Sequence, residues 1–166
     1  MMQQQWSALE QRYKEGKTKA IGVSNFCKPC LECLAETATV VPAVNQLQFH
    51  VGMPGTDPKG LLSYSNAQGI VVQAYSPLGG DAHAALLNAP ELVAIGKKHN
   101  QSTSSVCLKW VMQLGHAMAT STTKVAYMQE DVDVYRSTWL LEQEDMEVLQ
   151  GLDVAPDDPV KSMCLF

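Results

Sequence analysis

The run Ile70-Val71-Val72-Gln73-Ala74-Tyr75 constrains this chain more than any other segment. It is β-branched and apolar on both faces, bounded by Gly69 and by Ser76-Pro77-Leu78-Gly79-Gly80. That is the pattern of a parallel strand buried under helices on both sides. A parallel strand cannot be joined to its neighbour by a hairpin and needs a crossover, usually a helix.

The flanking sequence supplies those crossovers. Trp6, Leu9 and Tyr13 fall on one helical face, with Gly16 as the C-terminal glycine. Lys19 to Val23 reads as a strand ending at Ser24-Asn25, and Pro29 with Leu31 and Leu34 as the next helix. Ala43 to Gln46 is a second strand. Asp57-Pro58 is an N-cap and first-turn proline before Leu61, Leu62 and Tyr64, with Gly69 closing that helix. After the Ser76–Gly80 loop come helices over 91–99 and 104–114, the second capped by Ser102 or Thr103. Met118 to Thr120 is a fourth strand, 124–135 and 143–152 are helical, and 155–166 is expected to be an irregular tail. The fold class is α/β with a parallel sheet, in one domain over 1–154.

With 166 residues, 46% hydrophobic content and net charge −5, the chain suits one globular domain and not a disordered one. An acidic chain without a basic run is a poor ligand for phosphate backbones, so no nucleic-acid partner is expected. No run approaches the ~20 apolar residues of a membrane span. The N-terminus has neither the basic start nor the apolar core of a signal peptide. Five cysteines without a secretory signal favour reduced thiols, and the expected location is the cytoplasm.

Parallel α/β folds place ligand groups at the carboxyl ends of their strands. Here those ends are Ser24-Asn25, Asn45-Gln46, Tyr75-Ser76 and Ser121-Thr122-Thr123, all able to hydrogen bond. Serine, threonine and asparagine also cap helices, but four polar ends in succession favour a site. Gly16-Lys17-Thr18 imitates a phosphate-binding loop yet follows a helix and opens a strand, so it is rejected. There is no G-x-G-x-x-G. Cys27, Cys30 and Cys33 are spaced by three; structural thiols are favoured over redox sensing or a metal, because a tetrahedral site lacks a fourth ligand. His50, His83, His99 and His116 have no carboxylate or histidine at helical spacing and read as structural.

Certain motifs, in order, make the chain resemble the C-terminal half of an aldo-keto reductase. They are Trp6-x-x-Leu9-Glu10, then Gly16-Lys17-x-Lys19-Ala20-Ile21-Gly22-Val23-Ser24-Asn25-Phe26, then Pro42-Ala43-Val44-Asn45-Gln46 with His50. Gly69-Ile70 leading to Ala74-Tyr75-Ser76-Pro77-Leu78-Gly79, and Glu144-Asp145-Met146, complete the set. The resemblance implies strands five to eight of a (β/α)8 TIM barrel and an oxidoreductase that reduces aldehydes and ketones with NADP, NAD being the alternative. It implies that Ser24, Asn25 and Gln46 bond the nicotinamide carboxamide and that Tyr75 stacks on the ring. Ser76, Pro77, Leu78 and Gly79 would follow the pyrophosphate, and the segment from Ser121 to Asp131, with Ser121, Thr122, Thr123 and the adenine-contacting Glu130, would receive the adenosine end.

Two departures accompany it. Ser121 and Tyr127 stand where many members carry a lysine and an arginine against the 2′-phosphate, so phosphate preference is expected to be weak, with Lys124 near enough to compensate. The family's catalytic aspartate, tyrosine, lysine and histidine match nothing here, so no catalytic residue is assigned and the chain alone is expected to be inactive. A barrel takes about 250 residues, and four strands cannot close one. They would leave open edges and an apolar interior face, so a missing N-terminal half-barrel or a second copy is the expected partner. A non-catalytic nicotinamide-binding or assembly subunit is the competing reading, and a thiol redox module a third.

Overall fold

In the computed structural model, residues 2–53 and 57–154 are described, and the expected tail at 155–166 lies outside them. The chain divides into two compact units, one holding 2–47 and 57–73, the other 48–53 and 74–154. The strands of the sheet follow one another in chain order, with helices between successive strands. No described helix is long and apolar enough to cross a membrane.

The first unit opens with α1 (Met2–Lys14). Gly16 closes it as expected: its φ is +69°, its N–H donates to Tyr13 O (3.0 Å) and the Lys17 N–H to Arg12 O (3.0 Å). The buried face keeps only Trp6 of the expected Trp6, Leu9 and Tyr13. Trp6 and Glu10 are buried, whereas Leu9 is 42% and Tyr13 40% exposed. The segment 38–40 crosses α1 and sets the face: Trp6 Nε1 donates to Val40 O (3.1 Å), and Glu10 Oε1 accepts from Thr39 N (2.6 Å) and Val40 N (2.8 Å). Burial alone would raise the Glu10 carboxyl, but the two backbone N–H donors outweigh it and hold it below its ordinary value.

β1 (Val23–Ser24) is shorter than the 19–23 strand expected, because Lys19 and Ala20 are exposed and Thr18 Oγ1 turns back to Ala20 O (2.7 Å). It pairs in parallel with β2 (Val44–Gln48), Val23 opposite Asn45 and Ser24 opposite Gln46. Gly22 makes that approach feasible, since a Cβ there would lie 2.7 Å from Val44 O and 2.4 Å from Val44 Cγ1. α2 (Lys28–Ala35) has its proline in the first turn and buries Leu31 and Leu34. The three cysteines do not share one environment: Cys27 is buried, Cys30 half-buried and Cys33 exposed. Steps of three turn a helix by about 300°, so each cysteine rotates further from the core.

Asp57 caps α3 (Leu61–Ala67) from further away than expected. A 3-10 turn, Pro58–Gly60, intervenes, yet Asp57 Oδ1 accepts from Leu62 N (2.7 Å) and Ser63 N (3.2 Å), and Oδ2 from Ser63 Oγ. β3 (Val71–Tyr75) is not buried on both faces: Val72 and Ala74 are buried, whereas Val71 is 51% exposed. Nor is that open face uniformly apolar. Gln46 Nε2 donates to Gln73 Oε1 (2.7 Å), so two glutamines satisfy each other there.

The second unit contains α4 (His83–Leu87), α5 (Pro90–His99), α6 (Thr103–Gln113), β4 (Ala117–Ala119), α7 (Val125–Arg136) and α8 (Gln143–Gly151). Sequence periodicity missed α4, which is barely more than one turn long. Phe49 stacks on Trp110 (centroids 5.3 Å) and receives His116 edge-on. Asp145 ties α8 to α5: Oδ1 accepts from Lys98 Nζ (2.8 Å), and Oδ2 pairs with His99 Nε2 (2.6 Å) and accepts from Glu142 N (3.1 Å). His99 therefore does pair with a carboxylate, one distant in sequence. Burial pushes the Asp145 carboxyl up, but Lys98, His99 and the Glu142 N–H together hold it below its ordinary range.

Because the folded carboxyl is the stronger acid, its contribution is complete above the ordinary carboxylate range and is lost as pH falls through the lowered value. Asp145→Asn is expected to cost about 2 kcal/mol at neutral pH and to flatten the acid limb of stability below about pH 4, measured by urea unfolding across pH. Gly22→Ala is expected to cost about 2–3 kcal/mol by the same assay, from overpacking against the Val44 backbone.

Candidate functional site

Strand ends in each unit carry the sequence-assigned residues. In the first, the β1–β2 ladder brings Ser24, Asn25 and Gln46 together. Gln46 O accepts from Asn25 N (2.8 Å) and from Ser24 Oγ (3.2 Å). Asn25 has φ +58°, a left-handed conformation that asparagine tolerates better than most residues. Its side-chain oxygen, Oδ1, is buried and has no hydrogen-bond partner among the described residues. The neighbouring Asn45 is fully buried and clamps one residue, its Nδ2 donating to Phe26 O (2.8 Å) and its Oδ1 accepting from Phe26 N (3.3 Å). That clamp fixes the loop carrying Ser24 and Asn25, a positioning role that the strand-end pattern could not separate from ligand contact.

In the second unit, Tyr75, Ser76, Pro77 and Leu78 line a groove of about 780 Å³ together with Ser121, Thr122 and Glu130. Gly79 and Thr123 do not line it; Gly80 does. Gly79 instead makes the turn: its φ is +96°, its N–H donates to Ser76 O (3.0 Å), and a Cβ would sit 3.2 Å from the His83 backbone. The short helix α4 adds His83 and Leu87, and His83 Nδ1 lies 2.8 Å from Leu78 O. Ser102 and Ser104 also line the groove without having been assigned to it, and Tyr127 and Asp131 line it from within the expected 121–131 segment. These groups are neutral hydroxyls, one imidazole, two phenols and two carboxylates, suited to a polar ligand with an aromatic part.

Glu130 is held in place by the α6 cap. Ser102 Oγ accepts from Ser105 N (3.0 Å) and donates to Glu130 Oε1, which Ser105 Oγ also reaches (3.0 Å). Behind it Lys109, 1% exposed, donates from Nζ to Val134 O (2.8 Å) and Ser137 Oγ (3.2 Å), 4.9 Å from the Trp139 ring centre. Burial pushes the ammonium down from its ordinary value, yet its donors are engaged in joining α6 to α7. Burial likewise pushes the Cys107 thiol up to about 12, which leaves it un-ionised and inert at neutral pH. Cys30, Cys33 and Cys107 are free thiols, and no set of three metal-ligating side chains is gathered among the described residues.

The family model for aldo/keto reductases matches residues 2–154. The chain belongs to the aldo/keto reductase family. It is 39% identical over 148 residues to glyoxal reductase of Bacillus subtilis (strain 168), covering 89% of this chain and 51% of that one. Among solved structures, the aldose reductase of Schistosoma japonicum superposes with a TM-score of 0.83 at 26% identity, over 97% of this chain and 50% of that one. An aldo-keto reductase complexed with NADPH gives a TM-score of 0.80 at 30% identity, over 93% and 48% respectively. The chain spans about half the length of the curated relatives it matches.

In this aldo/keto reductase chain the Ser102 hydroxyl serves both the α6 N-terminus and the groove carboxylate. Ser102→Ala is expected to cost about 1 kcal/mol in urea unfolding through the lost cap.

Proposed function

We propose that this chain is the cofactor-holding part, strands five to eight of a (β/α)8 barrel, of an NAD(P)H-dependent oxidoreductase that reduces aldehydes or ketones to alcohols. The observation that carries the reading is the groove in which Tyr75 and the Ser76–Leu78 loop meet Ser121, Thr122 and Glu130. Family membership and relatives with bound NADPH support it.

The residues fit a nicotinamide cofactor. A primary carboxamide presents two N–H donors and one acceptor. Asn25 Oδ1 is a buried acceptor in need of a donor, and an orphaned acceptor of this kind costs about 1–3 kcal/mol unless a ligand satisfies it. Ser24 and Gln46 supply further donors and acceptors at the same strand ends. The Tyr75 ring would offer a stacking face, the Ser76–Leu78 loop would hold the pyrophosphate, and Ser121, Thr122 and Glu130, without Thr123, would hold the adenosine. When bound, the cofactor supplies the hydride. The carbonyl oxygen also needs a proton donor, and none of Tyr13, Tyr64, Tyr75, Tyr127 and Tyr135 is assigned that role here. The chain's own part is thus binding and orientation, and a complementary half-barrel, or a second copy, is the partner that would bring the acid to a small carbonyl substrate.

Equilibrium titration with reduced cofactor, followed by nicotinamide fluorescence, tests this. Tyr75→Ala is expected to weaken binding five- to a hundredfold, equivalent to about 1–3 kcal/mol of stacking. Asn25→Gly is expected to weaken binding while folding stability stays within about 1 kcal/mol, since left-handed strain and an unpaired acceptor are removed together. Unchanged binding in Tyr75→Ala overturns the site, and carbonyl turnover by the chain alone overturns its division of labour.

A further inference from the structure

NAD(H) and NADP(H) differ at one position, where the adenosine ribose carries a 2′-hydroxyl or a 2′-phosphate. The phosphate is close to a dianion at neutral pH and is held by charge-assisted bonds from arginine or lysine. The hydroxyl is neutral and donates well to a carboxylate. Among the described residues lining the Tyr75–Glu130 groove, the ionisable side chains are Tyr75, His83, Tyr127, Glu130 and Asp131, with no lysine or arginine.

Lys124 is the nearest cation in sequence, and its ammonium lies 4.8 Å from the centre of the Tyr127 ring. Even with Lys124 turned toward the groove, one cation would face the two carboxylates Glu130 and Asp131. The N-terminus of α7 adds roughly half a positive charge, which leaves the sum negative before any phosphate arrives. The two carboxylates are not equivalent. Glu130 already accepts from the Ser102 and Ser105 hydroxyls. Asp131 is half-buried and makes no hydrogen bond or ion pair among the described residues, so its oxygens are available to a ligand hydroxyl.

We propose that Asp131 makes this groove select NAD(H) over NADP(H), by accepting a hydrogen bond from the adenosine 2′-hydroxyl and repelling a 2′-phosphate. The inference rests on the nicotinamide-cofactor reading above and fixes which form of that cofactor the site takes.

The test is parallel titration of the full chain with NADH and with NADPH at one ionic strength, in the native protein, Asp131→Asn and Tyr127→Arg. Native protein is expected to bind NADH at least tenfold more tightly than NADPH. Asp131→Asn is expected to shrink that ratio about tenfold, weakening NADH and strengthening NADPH, with unchanged circular dichroism. Tyr127→Arg, at an exposed position, is expected to strengthen NADPH about tenfold, which keeps the inference testable should Asp131→Asn not fold. Native NADPH affinity equal to or above that for NADH overturns the selection while leaving the nicotinamide reading intact. A folded Asp131→Asn with an unmoved ratio overturns the role of Asp131, and a Tyr127→Arg that gains no NADPH affinity overturns the charge argument. If the native protein binds neither cofactor, the nicotinamide reading falls and the selection falls with it.

Discussion

A buried polar atom without a partner costs about 1–3 kcal/mol, and several connections here are held by one that has found its partner. Glu10 binds the N–H groups of Thr39 and Val40 and so lays the 38–40 segment across α1. Asn45 and Gln113 do the same work with neutral amides. Each grips both the N–H and the carbonyl of a single residue, Phe26 in one case and Leu141 in the other. Lys109 and Asp145 are the charged versions, one joining α6 to α7 and the other α5 to α8. Among the described residues two buried side-chain atoms break that pattern, Trp110 Nε1 inside the second unit's core and Asn25 Oδ1 at a strand end, where a ligand donor could meet it.

Features set by neighbouring residues were legible in the sequence. Gly16 stops α1, Pro29 sits in the first turn of α2, and Ser102 caps α6, because caps and stops depend on dihedrals and donors a few residues apart. The strands were found within a few residues for the same reason. Burial was less legible. Apolar spacing pointed to Leu9 and Tyr13, yet a carboxylate at Glu10 took the inner face, since which face is covered depends on a segment some thirty residues away. His99 lacked a partner at helical spacing and met Asp145 from another helix. Nothing local marks Lys109 as buried, and α4 is too short for its periodicity to register.

The candidate site divides along the same line. Chemistry at strand ends was visible as a row of hydroxyl and amide side chains, and the groove gathers Tyr75 to Leu78 with Ser121, Thr122 and Glu130. Hidden from the sequence were the division of labour between Asn45 and Gln46, the turn-making role of Gly79, and the hold of Ser102 and Ser105 on Glu130. The first depends on which way a strand side chain faces, which alternates with every residue, the second on the backbone of a turn, and the third on contacts between segments apart in sequence.

The three tryptophans have different surroundings and are split between the units. Trp6 lies buried in the first, its indole N–H bonded to Val40 O, whereas Trp110 stacks on Phe49 and Trp139 faces Lys109 and His99 in the second. Indole emission therefore contains separable optical reporters of the two units. A protein retaining Trp6 alone would signal the melting of the β1–β2 side, and one retaining Trp110 alone that of the groove side, without any added dye.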